Sequence, residues 1–316
     1  MIAFLPMMMY NKHTEEYCMK FTTVANIAKK WNVSERTVRN YCSNGKIDGA
    51  FLAGKTWNIP VDANRPERIN KRQGISKNLL EALKNEKESN LKGGIYHRIQ
   101  VDLTYNSNHI EGSTLTHDQT RHVFETKTIE ISNQPVNTDD LIETINHFEC
   151  IRLIIDNASH LLTESLIKKL HYILKRGTSD SEKEWFAVGD YKRLPNEVGG
   201  RETTPPEKVG SEMKKILRKY NETKKKTFED IVAFHADFEW IHPFQDGNGR
   251  IGRLIMFKEC IRNNVVPFII DERTKLFYYR GFDEWRQERG YLLDTCLNAQ
   301  DAFKKHLDYF KIPYKN

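Results

Sequence analysis

The chain has 316 residues, of which 39% are hydrophobic and 29% charged, with a formal net charge of +6 at pH 7. Those proportions suit a soluble globular protein with a good-sized core, and the length suits two domains. Five widely spaced cysteines without a CxxC pair read as reduced thiols of a cytosolic protein rather than a disulfide framework, and no internal repeat or low-complexity tract is present.

The opening stretch, Ile2 to Tyr10, is apolar but short, is interrupted by Pro6 and lacks a basic region before it. It reads neither as a secretory signal nor as a membrane span, and residues 1–20 are expected to be a flexible tail. Residues 21–62 form the first patterned unit. Val24, Ile27, Ala28 and Trp31 predict a short helix, Asn32-Val33 a turn, and Ser34 the cap of a second helix through Tyr41. Phe51-Leu52 and Thr56 to Ile59, on either side of Gly54, predict two short strands. Six Lys/Arg stand against Glu35 and Asp48 between residues 21 and 60. The unit resembles the helix-turn-helix of excisionase and MerR-type winged domains. That resemblance implies that Arg36, Thr37, Arg39 and Asn40 face the major groove of DNA, and that the chain dimerises to bind it.

Residues 63–78 read as a linker; Arg65 to Asn90 is rich in Lys, Glu and Asn and runs into a helix that carries Leu79, Leu80 and Leu83. Tyr105 to Gly112 is a helix end bearing Ser107 and Glu111. Leu141 to Ile155 and Leu161 to Leu174 are apolar at helical spacing, so His147 and His171 within them are expected to be structural. From Thr227, whose pairing with Asp230 predicts a capping box, an amphipathic helix runs to Ile241. His235, Glu239 and His242 could share one face of it as zinc ligands, though no HExxH or cysteine pair accompanies them. A further periodic run begins at Ile251, and Glu284 to Phe310 closes the chain with one or two helices.

Between those two helices lies His242-Pro243-Phe244-Gln245-Asp246-Gly247-Asn248-Gly249-Arg250-Ile251-Gly252-Arg253. Gly247 and Gly249 free the backbone to turn its N–H groups toward one anion, and the second helix adds its positive end. Arg250 and Arg253, three apart, are expected to project toward the same place. Asp246 is a hard oxygen ligand suited to Mg2+ beside phosphates, and His242 can take a proton near neutral pH.

This window matches the signature of the Fic/DOC family, HxFx(D/E)GNGRxxR, at every specified position. The resemblance implies a mainly α fold: a Fic-type helical core over residues 79–316 with a small β-hairpin flap. It implies transfer of AMP from ATP to a Ser, Thr or Tyr hydroxyl of a target protein. In that scheme His242 is the base, Asp246 holds Mg2+, and Gly247, Asn248, Gly249, Arg250 and Arg253 hold the phosphates. Tyr279, in Phe277 to Phe282, resembles a nucleotide-contacting tyrosine. Ser107, Glu111 and Gly112 match the (S/T)xxxE(G/N) motif of self-inhibited family members, in which Glu111 pairs with Arg253 in bidentate geometry. Gly189, Asp190, Tyr191 and Lys192, leading to Gly199-Gly200, resemble the flap that aligns the target by strand pairing. Removal of AMP, transfer of another group, or action chiefly as a DNA-binding regulator remain open alternatives. Inhibition in this family commonly involves homodimers.

Overall fold

The computed structural model describes residues 21–54, 56–66, 78–129 and 135–314. The expected tail and most of the linker lie outside them. The chain divides into two compact units, Met1–Gly74 and Ile75–Asn316.

In the first unit, β1 (Phe21–Thr22) is followed by α1 (Val24–Trp31), α2 (Glu35–Ser43), β2 (Phe51–Ala53) and β3 (Thr56–Pro60). Ser34 caps α2 by accepting from the Thr37 N–H, and Asn32 takes a left-handed conformation that ends α1. The strands pair antiparallel in the order β1-β3-β2, with Phe51 opposite Asn58. Ile27, Trp31, Val38 and Ile59 form its core. Opposite that core, Arg36, Arg39 and Asn40 are exposed on α2 and Thr37 is half-buried.

The second unit is a helical bundle with one small hairpin. It comprises α3 (Leu79–Ser89), α4 (Ile95–Ile110), α5 (His117–Thr126), α6 (Thr138–Asp156), α7 (Glu164–Lys175), α8 (Pro206–Glu222), α9 (Phe228–Ile241), α10 (Asn248–Asn263), α11 (Lys275–Asp283) and α12 (Gly290–Tyr309). The hairpin pairs β4 (Glu197–Val198) with β5 (Arg201–Glu202). Its two-residue loop, Gly199-Gly200, has positive φ at both positions, the geometry that closes a tight hairpin and that glycine adopts without strain.

α10 is the axis of this unit. Every residue from Arg250 to Ile261 is buried, so the helix has no solvent face and its polar side chains need internal partners. Ile251, Leu254 and Ile255 join Ile99 and Leu103 of α4, Ile151 and Ile154 of α6, Leu170 and Leu174 of α7, and Phe234 and Phe238 of α9 in one apolar cluster. Met256 and Cys260 join Tyr278, Leu292 and Cys296 in a second. No helix among the described residues is long and apolar enough to cross a membrane.

Candidate functional site

α9 begins with the capping box between Thr227 and Asp230 and ends at His242, whose φ of 51° turns the chain out of the helix. The loop that follows is held by side chains that close back on its own backbone. Asn248 donates from Nδ2 to the Phe244 carbonyl and accepts from the Phe244 N–H at Oδ1, both at 2.8 Å. His171 of α7 stacks on the Phe244 ring with centroids 4.0 Å apart. Burial pushes His171 down to about 3, so its ring is neutral. Its Nδ1 accepts from the Gly189 N–H at 2.9 Å, which leaves Nε2–H to donate to the Asp246 carbonyl at 3.2 Å.

The two arginines diverge instead of meeting. Arg250 turns back onto Asp246, one helical turn earlier, and onto Glu143 of α6. Arg253 turns to α4. It donates from Nε to Ser107 Oγ at 3.0 Å, and from Nη2 to the Ser107 carbonyl at 2.8 Å and Glu111 Oε1 at 2.7 Å. The expected bidentate grip on Glu111 is therefore one bond to the carboxylate and two to Ser107. Burial disfavours the charged guanidinium, but the Glu111 carboxylate outweighs it and raises the Arg253 pKa.

Glu111 lies over the first turn of α10. A Cβ on Gly249 would stand 2.2 Å from Glu111 Oε1 and 2.9 Å from Arg253 Nη1, so only glycine admits the carboxylate there. Gly112, at φ 98°, turns the chain immediately after α4. The carboxylate thus sits at the positive end of a helix, the place an anionic ligand would take.

Asp246 has a different set of partners. Its Oδ2 accepts from Lys175 Nζ at 2.7 Å and from Arg250 Nη2 at 3.0 Å. Burial alone would raise its carboxyl, but the two cations outweigh it and hold the group well below the usual carboxylate range. Lys175 also donates to Glu143 at 2.6 Å and to Asp180 at 2.9 Å, so all three of its protons are committed. The Asp246 side chain is 46% exposed, which leaves an ionised, anchored oxygen ligand open to a hydrated cation. Among the described residues no group of three or more His, Cys, Asp or Glu is arranged to hold a metal, so the zinc alternative has no cluster behind it.

A cleft of about 530 Å³ opens beside these groups. Glu111, Gly249 and Arg253 line one side, and Glu239, Trp240 and His242 of α9 another; Tyr278 and Tyr279 of α11 and the β4–β5 hairpin complete the wall. His242 faces the cleft with its pKa pushed down to about 4, by burial first and then by the positive charge of Lys192. Arg201 and Arg286 stack on the Trp240 ring at 3.9 and 3.6 Å. Tyr279 is half-exposed, and its OH reaches the Ile110 carbonyl at 3.4 Å.

Four expected positions lie outside the cleft lining, Asp246 among them. Gly247, Asn248 and Arg250 do not line the cleft: Gly247 packs against Leu174 and His171, and the other two spend their polar atoms inside the protein. The strand pair falls at residues 197–202, not at Gly189 to Lys192. That earlier segment is drawn inward: Asp190 pairs with Lys168 at 2.9 Å, and the Lys192 N–H donates to the Pro243 carbonyl at 2.9 Å. Lys192 Nζ is buried against Asn196 and Thr203, and burial lowers it to about 8. Sequence reasoning missed Glu143 and Lys175, and took Glu239 only as a candidate zinc ligand. Lys175 was detectable, because with His171 it falls on the same helical stripe as Ile167, Leu170 and Leu174, where a lysine has no solvent to reach.

Residues 161–260 match the model of the Fic/DOC family. The chain is similar to the protein adenylyltransferase Fic of Drosophila melanogaster, 25% identical over 233 residues that cover 69% of this chain and 45% of that protein. It is also similar to the protein of the same name from Drosophila grimshawi, 28% identical over 183 residues, 55% of this chain and 36% of the other. The chain therefore spans less than half the length of these curated relatives. Among solved structures it is similar to a Fic domain-containing signaling protein from Bacteroides thetaiotaomicron, with TM-score 0.55 and 25% identity over 73% of this chain and 90% of that one. Fic-1 from C. elegans gives TM-score 0.58 and 20% identity over 73% and 72% of the two chains. Residues 161–260 thus carry a Fic/DOC domain on the helical fold those structures share.

Asn248→Ala should destabilise the protein by about 1–3 kcal/mol, because the buried Phe244 N–H loses its side-chain acceptor while the Phe244 carbonyl keeps only Asn196. Urea unfolding monitored by tryptophan fluorescence measures the loss.

Proposed function

We propose that this chain is a protein adenylyltransferase that moves AMP from ATP to a hydroxyl of a target protein, and that Glu111 restrains it. The observation that carries the reading is the Glu111 carboxylate lying over Gly249 and bonded to Arg253. An acid from the chain itself fills the anion place beside an open cleft that His242 faces. The names of the Drosophila relatives support AMP transfer as the reaction.

In this reading the triphosphate lies along the cleft with its outer phosphates toward Arg253 and the N–H groups at the start of α10. The target hydroxyl gives its proton to neutral His242 while its oxygen attacks the α-phosphorus in line. A phosphorus–oxygen bond to the target forms, the bond to the β-phosphate oxygen breaks, and pyrophosphate leaves with the electron pair. Asp246 would hold Mg2+, which supplies charge neutralisation for the phosphates. The β4–β5 hairpin beside the cleft offers a strand edge to the target segment. Charge compensation and aiming supply the rate, so the chain needs no covalent intermediate.

Glu111 and the nucleotide compete for Arg253. With the carboxylate in place, ATP is kept from the orientation that presents its α-phosphorus to His242. A second reading applies to the first unit: the exposed Arg36, Arg39 and Asn40 on α2 favour DNA binding, with regulation of the chain's own operon as the outcome.

Glu111→Gly should raise self-labelling by radiolabelled ATP several-fold, and equal labelling of the two proteins defeats the restraint. Losing one partner of a buried ion pair costs about 3–5 kcal/mol, and less here because the Glu111 side chain is 29% exposed, so the variant should also melt earlier. His242→Ala in the same background should lower labelling by about 100-fold or more while ATP binding persists.

The pH dependence follows from His242. An unshifted histidine is about nine-tenths protonated near pH 5.5, whereas a group lowered to about 4 stays neutral there. Labelling by the Glu111→Gly variant near pH 5.5 should keep at least about half its neutral-pH rate, and collapse below pH 6.5 contradicts the depressed value.

For the first unit, Arg36→Ala with Arg39→Ala should abolish salt-dependent retardation of the upstream DNA by the full chain. Unchanged retardation removes α2 from the interface.

A further inference from the structure

Three buried polar atoms on α9 and its cap have no hydrogen-bond partner among the described residues: His235 Nδ1, Glu239 Oε1 and His242 Nδ1. They come from positions four and three residues apart, which places them along one side of the helix. An orphaned buried polar group costs about 1–3 kcal/mol.

Glu239 stands between the two histidines. Its Oε2 is 3.9 Å from His242 Nδ1. Its Oε1 converges with His235 Nδ1 on the bare backbone of Gly252, where a Cβ would stand 2.6 Å from one and 2.7 Å from the other. At its far edge His235 meets the buried Tyr278 hydroxyl through Nε2 at 2.5 Å. Lys192, Glu111, Asp246 and Arg201 act on His242 through their charge, and Arg253, Glu111 and Arg201 on Glu239.

The protons can be counted. Burial pushes the Glu239 carboxyl up to about 8, so at neutral pH it keeps its proton, and burial pushes His235 down to about 3, so that ring is neutral. A neutral carboxyl group offers one O–H donor and one carbonyl acceptor; a neutral imidazole offers one donor and one acceptor. With the carboxyl proton on Oε1, the oxygen beside Gly252, Oε2 is the carbonyl oxygen. The carbonyl oxygen of Glu239 is then left to accept from His242. That contact gives His242 Nδ1 its acceptor.

We infer that Glu239 is a positioning residue for His242: its Oε2 accepts from His242 Nδ1–H, leaving the His242 Nε2 lone pair for the target hydroxyl. The inference deepens the reading of His242 as proton acceptor and rests on it. The 3.9 Å separation is a resting distance, of the kind that shortens when substrate closes a site. Without Glu239 the ring is free to carry its proton on Nε2, the tautomer that cannot take another proton there.

The test compares Glu239→Gln and Glu239→Met in the Glu111→Gly background. Glutamine reproduces the neutral donor and acceptor, so its kcat should stay within about threefold of the parent. Methionine fills the space without either, so kcat should fall about tenfold or more with KM for ATP within about twofold. In parallel, 15N spectra of the His242 ring at neutral pH should place its proton on Nδ1 in the parent and in Glu239→Gln, and shift it to Nε2 in Glu239→Met. The inference is overturned if methionine matches the parent, if glutamine falls as far as methionine, or if the parent ring carries its proton on Nε2. Should the parent transfer no AMP at all, the proposed function fails, while the ring spectra still decide the role of Glu239.

Discussion

A guanidinium group enclosed within a bundle of helices has to be met by oxygen at its N–H groups, because the desolvation of an unpaired charge is worth several kcal/mol. Arg253 is 3% exposed and meets that demand from a single helix turn, through Ser107 and Glu111 of α4. The arrangement at the mouth of the cleft follows. Ser107 supplies neutral contacts and Glu111 a charge, and in the proposed restraint it is that charge which the nucleotide replaces. The serine is in that scheme the fixed half of the contact and the glutamate the exchangeable half.

Around this contact the bundle is built to keep α10 immobile. Arg250 lies 4% exposed against Glu143 and Asp246, and Lys175 ties Asp246 to α7 and to Glu143. The loop before α10 is clamped by Asn248 and by the stacked His171 ring. Most polar residues of the window from His242 to Arg253 thus serve the shape of the loop, and fewer face the cleft. Such a division is physically reasonable, since a helix amino end can orient a ligand only if its own backbone does not move.

Much of the fold could be read from spacing alone. The helices α1, α2, α6, α7 and α9, the caps at Ser34 and Thr227, and the strands flanking Gly54 all lie where periodicity and turn chemistry place them. The helices α5 and α8 were not singled out, although Pro206 at the first helical position is a start signal for α8. In the site, residue types gave the chemistry but not the directions. Three positions apart on a helix predicts neighbours on one face, yet Arg250 and Arg253 separate because acids on different helices, Glu143 and Glu111, draw them apart. The flap, placed by resemblance from Gly189 on to Gly199-Gly200, is a hairpin only at its far end, because Gly189 packs onto Tyr172 of α7. Contacts between elements distant in sequence, such as Lys175 with Asp246, have no local pattern to announce them.

Glu111 occupies the cap at the very end of α4, and Gly112 follows it with a backbone that no neighbouring side chain restrains. Terminal turns fray at little cost, well below that of opening a whole domain. Withdrawing the carboxylate therefore requires only that the cap move, while Ile95, Ile99, Leu103 and Ile110 hold α4 itself in the core. In the proposed restraint, a latch placed there is set by local movement of the cap. Its threshold can be tuned by whatever grips or loosens a handful of residues, independently of how firmly the protein as a whole is folded.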